Sequence, residues 1–265
     1  MDPASEEAGR IVRRRHGDVL AIGIDRPSKR NGVTPEMARA LADAYGELER
    51  DPSLRAGLLY AEGAHFTGGL DLPRWGQILR SGGSLWGDGG IDPFDLREPR
   101  RTKPVVAAVQ GICFTLGIEL MLAADVVVAA DDCRFSQLEV KRGIMATGGA
   151  TFRIAERAGT GNAMLYLLTG DEFDSATALR LNLVQRIVPA GRQFDEALAI
   201  AQRVAQAAPL AVRATIANAR LAREHGPQAA IAEFAQVQAR LAASDDAREG
   251  VAAFVERRAA RFRGS

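Results

Sequence analysis

Cysteine is nearly absent from this chain. Cys113 and Cys133 are the only two in 265 residues, too few for a disulfide framework, and both read as reduced core thiols. Histidine is as sparse, with three in all; none stands at metal-ligand spacing, so no metal is expected. Charge of one sign is not in surplus either. The 34 Lys and Arg against 33 Asp and Glu give a formal net charge of +1, which excludes a whole-molecule attraction to nucleic acid or anionic membranes. Any anionic ligand has to be met locally. Long apolar runs are missing too: the most apolar, from Ile118 to Ala130, is interrupted by Glu119 and Asp125. The opening MDPASEEAGR is acidic and lacks the apolar stretch of a signal peptide, so the expected location is cytoplasmic.

What is present is core material. Hydrophobic residues make up 47% of the chain, enough for one large domain or a domain with an appendage. DVLAIGID (18–25), following RIVRRRHG, has the alternation of a hairpin strand. Thr34 suits a helix N-cap and Pro35 the first helical position, with Met37, Leu41, Tyr45 and Leu48 on one face. AGLLYAEG, PVVAAVQG and DVVVAAD read as buried strands, and LVQRIVP as one more. From about Asp195 onward the Ala-, Leu- and Arg-rich sequence, broken at Pro209 and Gly226-Pro227, reads as amphipathic helices. The order implies an α/β core with a helical C-terminal appendage.

Between these lies a glycine-rich stretch, residues 73–104, with Gly76, Gly82, Gly83, Gly87, Gly89 and Gly90 among scattered apolar residues. It reads either as a mobile surface loop or as a segment covering a substrate.

One heptad occurs twice. FTGGLDL (66–72) returns as FTLGIEL (114–120), each time after an apolar strand and at the start of a helical pattern. A strand followed by a Gly-containing turn and a helix start leaves backbone N–H groups without intrahelical partners, and the helix dipole adds positive potential there. Two such turns brought together offer two N–H donors to one oxygen, an oxyanion hole, with Gly68, Gly69 and Gly117 allowing close approach. Spacing alone leaves chance similarity open. Glu119 adds weight, because it lies in the apolar GIELMLAAD, where an ionised carboxylate is costly unless paired, hydrogen-bonded or reprotonated. Glu139, in CRFSQLEVKRGI at the end of a predicted strand, reads either as an ion-pair partner for Lys141 or Arg142 or as a second acid. Two carboxylates in one water-restricted pocket have their pKa values pushed apart, so that one serves as acid and the other as base.

On these residues the chain resembles the enoyl-CoA hydratase, or crotonase, family. IDRPSKRNGVTPEM, FTGGLDL, AAVQGICFTLGIELMLAADVVVAAD, RFSQLEVKRGI, LLTGDEFDSATALRLNLVQRIVP and DDAREGVAAFVERR follow that family's segments in order. The resemblance implies an α/β fold, a crotonase-like spiral of ββα units over residues 1–194, and a C-terminal helical region, 195–265, that mediates trimerisation or a dimer of trimers. It implies an acyl-CoA thioester partner and no nucleic acid, membrane or separate cofactor, coenzyme A being part of the substrate. Carried over position by position, it assigns the oxyanion donors to Leu70 and Leu116 and the acids of a hydratase to Glu119 and Glu139. Ser28, Lys29, Arg30, Gly68, Gly69, Asp71 and Gly117 fall at substrate or CoA positions, Asp71 also reading as a helix cap. Arg257, Arg258, Arg261 and Arg263 form a C-terminal group able to meet a neighbouring subunit's CoA phosphate. Trp75, Ile78, Leu85 and Trp86 are expected to line the acyl pocket. Leu138 and Ala146 depart from the family's usual Pro and imply a reshaped wall behind Glu139, whereas Asn182 tolerates the left-handed conformation of the Gly it replaces.

Overall fold

A computed structural model describes residues 8–87 and 90–265; the acidic N-terminal segment up to residue 7 and Gly89 of the glycine-rich stretch lie outside them. The chain starts with an antiparallel hairpin, β1 (Arg10–His16) and β2 (Val19–Asp25), turning at Gly17, whose φ of +62° suits a residue without Cβ. After a short 3-10 turn, Pro27–Lys29, comes α1 (Pro35–Arg50). As expected, Thr34 caps it by accepting from the Met37 N–H, and Met37, Leu41, Tyr45 and Leu48 are buried.

The chain then winds inward through β3 (Ala56–Ala61), α2 (Leu72–Ser81), β4 (Val105–Val109), β5 (Ile112–Phe114), α3 (Leu116–Ala123), β6 (Val126–Ala130) and β7 (Arg134–Ser136). Beyond a second 3-10 turn, Glu139–Arg142, follow α4 (Ala150–Ala158), α5 (Thr160–Thr169), β8 (Phe173–Asp174), α6 (Ser175–Arg180) and β9 (Arg186–Val188). The main sheet has the order β1-β2-β3-β4-β6-β9 and is parallel after the first hairpin, while β5, β7 and β8 form a second, smaller layer. Each turn of the spiral thus passes from the main sheet through the small layer into a helix. Isolated parallel bridges, Val33 to Leu70 and Thr67 to Cys113, extend that small layer. Parallel strands covered on both faces need apolar residues throughout, and β3 and β4 are buried at every position.

Alternation along those strands feeds two cores. Leu59, Val105, Ala107, Val109, Val127 and Ala129 face the spiral's helices. Leu58, Tyr60, Val106, Ala108 and Val128 face the other way, onto Ala197, Ala201 and Ala205 of α7 (Gln193–Ala205). Alanines four apart put three small side chains on one helix face and let it sit close to the sheet. The expected division at 194/195 therefore falls inside a helix that covers the main sheet. Beyond it lie α8 (Pro209–His225), α9 (Pro227–Ala242) and α10 (Asp245–Glu256).

The described residues of the glycine-rich stretch are packed down, and its reading as a segment covering a substrate is met in part, since Leu79 and Leu85 line the same cavity as Glu119 and Glu139. Its first part is α2, and beyond it the described residues are pinned by buried Trp86, Ile91 and Phe94, by Asp92 accepting from the Phe94 and Leu96 amides, and by the Asp95–Arg220 and Arg101–Asp125 ion pairs. Apolar anchors spaced along a chain hold it down even where glycine dominates locally. Among the described residues, no helix is long and apolar enough to cross a membrane.

Candidate active site

The two copies of the heptad lie side by side. Thr67 N–H donates to the Ile112 carbonyl at 3.1 Å and the Phe114 N–H returns to the Thr67 carbonyl at 3.0 Å. Gly117 sits where a Cβ would come 2.8 Å from Thr67 Cγ2, and at Gly69 it would come 2.1 Å from Thr115 Oγ1. Both contacts require glycine, and Gly69 has φ +105° as well.

The backbone of each turn leaves one amide over. Around Leu70, Val33 donates to the Gly69 carbonyl and accepts from the Asp71 N–H. In an extended segment the intervening residue's N–H and C=O point the opposite way, so Leu70 turns its amide away from Val33, and Leu70 lines the cavity. Leu116 is the first residue of α3, where an N–H has no intrahelical partner. Among the described residues neither amide donates to a protein acceptor. Thr115 precedes Leu116 at φ +50° and ψ −114°, a conformation costing a non-glycine residue about 1–3 kcal/mol and characteristic of functional turns. It is held by its own N–H to the Ser136 carbonyl at 2.9 Å.

A buried network sets the first turn. Asn31 donates to the Glu62 and His65 carbonyls at 2.8 and 2.7 Å and accepts from the Arg26 amide at 2.6 Å. Thr67 Oγ1 donates to the Asn31 carbonyl at 2.7 Å and accepts from Gly69 N–H at 3.0 Å. The sequence reading named Asn31 only as part of a segment, because a buried amide with all its groups paired leaves no periodicity to notice.

Both acids enter the same cavity, about 460 Å³ in volume, with Leu70, Leu116, Thr115 and Gly68 at one part of its wall. Glu119, 5% exposed, accepts from Gly148 N–H at 2.5 Å and from Ala150 N–H at 3.4 Å. Burial, then the charge of Glu139, push its pKa up to about 7 against those amides and Arg153. Glu139 follows β7 on the second 3-10 turn rather than ending a strand. Burial raises its pKa as well, and its Oε2 is enclosed with no hydrogen-bond partner. Its ion-pair reading fails: Lys141 goes to the Gly170 carbonyl and Asp171, and among the described residues Arg142 reaches only the Lys141 carbonyl.

Other expected positions divide. Ser28, Lys29 and Arg30 are exposed and lie beside the first turn, the Arg30 carbonyl accepting from Gly68 N–H at 2.8 Å. Asp71 stands at the N-cap of α2 but makes no cap hydrogen bond; its carboxylate takes Arg26 at 2.8 Å, a buried cation outbidding the helix end. Of the acyl-pocket set, Leu85 lines the cavity, whereas Trp75, Ile78 and Trp86 do not. Trp75 is fully buried with its indole N–H on the Val33 carbonyl at 2.8 Å, Trp86 packs edge-on against Phe94, and Ile78 joins the same core. Trp75 and Ile78 lie on α2 and turn into the core, while Trp86 lies in the loop beyond it and is held by Phe94. Leu72, Leu79, Leu138, Arg142, Ile144, Met145 and Thr147 complete the wall. In the C-terminal group Arg258 is engaged by Glu249 and Glu256, and the Arg261 amide by Glu249, while Arg257 ends α10 in the left-handed conformation.

Two residues unforeseen from sequence hold Glu119 in place. A Cβ on Gly148 would meet Phe94 at 2.5 Å and Glu119 at 2.6 Å. Arg153, buried and with its pKa lowered to about 10 by desolvation, clamps the Gly148 and Phe94 carbonyls at 3.1 and 2.6 Å. The glycine pair in TGGAT was the available signal.

Paired carboxylates and two unpartnered amides on one cavity, at the junction of two turns of a ββα spiral, are an arrangement that can supply acid–base groups and hydrogen-bond donors to a developing oxyanion. The sequence profile of the Enoyl-CoA hydratase/isomerase family matches residues 14–265, and the chain belongs to that family. It is 32% identical over 252 residues to "Enoyl-CoA hydratase EchA19" of Mycobacterium tuberculosis, covering 94% of each chain. Over 256 residues it is 32% identical to "Carnitinyl-CoA dehydratase" of Proteus mirabilis, covering 94% of this chain and 96% of that one. A solved structure from Mycobacterium abscessus with the same hydratase/isomerase description superposes with a TM-score of 0.94 at 48% identity, covering 96% of this chain and 98% of that one.

Proposed function

We propose that the protein is a hydro-lyase that adds water across the 2,3 double bond of a 2-enoyl-CoA. The observation that carries this reading is the convergence of Glu119 and Glu139 on one cavity with the free amides of Leu70 and Leu116. Those amides receive the thioester oxygen, on which negative charge grows as water attacks the β-carbon. One carboxylate takes the proton that water loses, the other gives a proton to the α-carbon, and the pair ends with the single proton it began with. Glu119 is the acceptor and Glu139 the donor in this scheme. Burial raises the pKa of both carboxylates, which favours keeping one proton between them, and the scheme begins with that proton on Glu139. The two titrate as a pair. Coenzyme A comes with the substrate and no further cofactor is needed. Ser28, Lys29 and Arg30, exposed beside the first turn, are the residues proposed to meet it.

Exposed Ile231, Phe234, Phe254 and Val255 on α9 and α10, Phe254 at 85% exposure, support assembly into a trimer or a dimer of trimers, since apolar groups of that size are rarely left in water together.

The test is loss of the conjugated enoyl thioester absorbance of crotonyl-CoA and longer analogues, with Glu119→Gln and Glu139→Gln made separately. Hydration requires both acids. A panel of chain lengths bound but not hydrated sinks the hydratase reading, and indifference to Glu139→Gln points to 3-enoyl-CoA isomerisation instead.

A further inference from the structure

We infer that Arg142 is a specificity-determining residue, and that the acyl chain this site takes carries a carboxylate at the end remote from the thioester. This rests on the reading of the cavity as an acyl-CoA site. It goes beyond that reading by naming the class of acyl group.

The geometry begins with the 3-10 turn Glu139–Arg142. Residues three apart in a 3-10 helix eclipse one another, so Arg142 projects on the same side as Glu139, and both line the cavity. Lys141, between them in sequence, faces away to the Gly170 carbonyl and Asp171. The turn therefore consumes one cation in structure and presents the other to the ligand.

Arg142 is unused there. Among the described residues no carboxylate lies within ion-pair distance of it, and its one hydrogen bond is to the neighbouring Lys141 carbonyl at 3.4 Å. It is not the counter-ion of Glu139, whose Oε2 has no partner at all. The same cavity is otherwise lined largely by apolar side chains, among them Leu79, Leu85, Ile144 and Met145, with Thr115, Thr147 and the two glutamates as its other polar side chains. A purely hydrocarbon chain would fill such a wall without using the guanidinium, and would leave it to water at the rim, where it is exposed.

The reacting end of the substrate is fixed at the Leu70 and Leu116 amides and the two glutamates, and Arg142 stands one 3-10 turn beyond Glu139, exposed at the rim. What remains for Arg142 is the far end of the acyl chain. A carboxylate matches the planar fork of a guanidinium with two parallel N–H···O bonds. Chain length keeps that carboxylate away from Glu139, since each added methylene carries it further from the carbons the glutamates address. A charge-assisted contact of this kind is worth about tenfold to a hundredfold in affinity.

The experiment measures binding of non-reacting saturated thioesters by calorimetry, comparing adipyl-CoA with hexanoyl-CoA and suberyl-CoA with octanoyl-CoA, for the wild type, Arg142→Lys and Arg142→Met. The expected result is a preference of about tenfold or more for at least one dicarboxylic member over its monoacid. That preference should be weakened in Arg142→Lys and collapse towards unity in Arg142→Met, and added salt should erode it. Equal affinity for both members of each pair in the wild type overturns the inference and leaves the acyl-CoA site standing. So does an equal loss for both members in Arg142→Met, which would place the guanidinium on coenzyme A itself. Failure of every thioester to bind overturns both the inference and the reading beneath it.

Discussion

At the start of α2, Asp71 leaves the helix end uncapped and turns to Arg26 at 2.8 Å. At the start of α3, Glu119 points into the cavity and is met only by two backbone amides, with its pKa pushed up to about 7. The surrounding residues are nearly the same in the two heptads. What differs is the environment: a buried guanidinium takes the first carboxylate out of play, while no cation pairs with the second. Conversely, the backbones play matching parts, each contributing one amide that the fold itself does not use. Similar side chains have thus come to different environments where the main chain has not.

The sharpest way to break this contrast is Glu119→Gln. Removal of a positioned acid–base group costs about 10²–10⁴ in rate, so kcat for enoyl-CoA hydration should fall by about a thousandfold while the protein stays folded. Rates within tenfold of wild type would mean that the second acid is as structural as the first.

Next in size is Gly69→Ala, which tests whether the turns depend on each other. A Cβ there meets Thr115 Oγ1 at 2.1 Å on a backbone with φ +105°. Strain and overpacking together should cost about 3 kcal/mol in stability and displace the Leu70 amide. Thr115→Gly removes the atom struck and relaxes its own positive φ. The double variant should therefore be more stable than the sum of the singles by about 1–2 kcal/mol in a thermal or urea unfolding cycle. Additivity would show that the two turns do not press on each other.

A smaller effect concerns the resting protein. The folded-state pKa of Glu119 is raised above its unfolded value, so the stability linked to its protonation is fully present below about 4.5 and is lost as pH rises through about 7. A shift of that size corresponds to at most about 3 kcal/mol at pH 8. Glu119→Gln, which cannot ionise, should unfold at a higher temperature than wild type at pH 8, with the gap closing towards pH 4.5. A gap independent of pH would place the effect in packing rather than in charge. The raised pKa also predicts that kcat/KM declines above about pH 7 as the pair gives up its shared proton, read as the alkaline limb of the wild-type pH–rate profile.

Much of this was legible in the sequence because it depends on local pattern. The capped helix α1, the all-apolar parallel strands and the paired glycines before Leu70 each follow from spacing and backbone preference. What escaped depends on contacts between distant segments. Trp75 looks like pocket lining until the Val33 carbonyl claims its indole N–H, and Asp71 looks like a cap until Arg26 arrives from across the turn. Arg153 reaches Glu119 only through the Gly148 loop. For residues 73–104 glycine content left a mobile loop and a substrate cover equally open, and only contacts decide: buried Trp86, Ile91 and Phe94 anchor the stretch while Leu79 and Leu85 line the cavity.

Asp71→Asn gives the smallest effect and the cleanest control on the comparison. Its partner Arg26 has a side chain 3% exposed and Asp71 itself is 20% exposed, so removing the charge leaves a guanidinium with less compensation in a dry place. Losing a partner outright in such a pair costs about 3–5 kcal/mol. Asn keeps an acceptor oxygen, the site is partly wet, and Arg26 retains the Gly32 carbonyl at 2.9 Å, so about 1–2 kcal/mol is expected. In a domain of this size that lowers Tm by roughly 3–6 °C. Turnover should change little, within about twofold, because the Leu70 amide is oriented by the Val33 backbone and not by Asp71. The outcome that would undo the comparison is the reverse pattern, a hundredfold loss in kcat at unchanged Tm. It would put both acids in the chemistry and make the two heptads equivalent in side chain as well as in backbone.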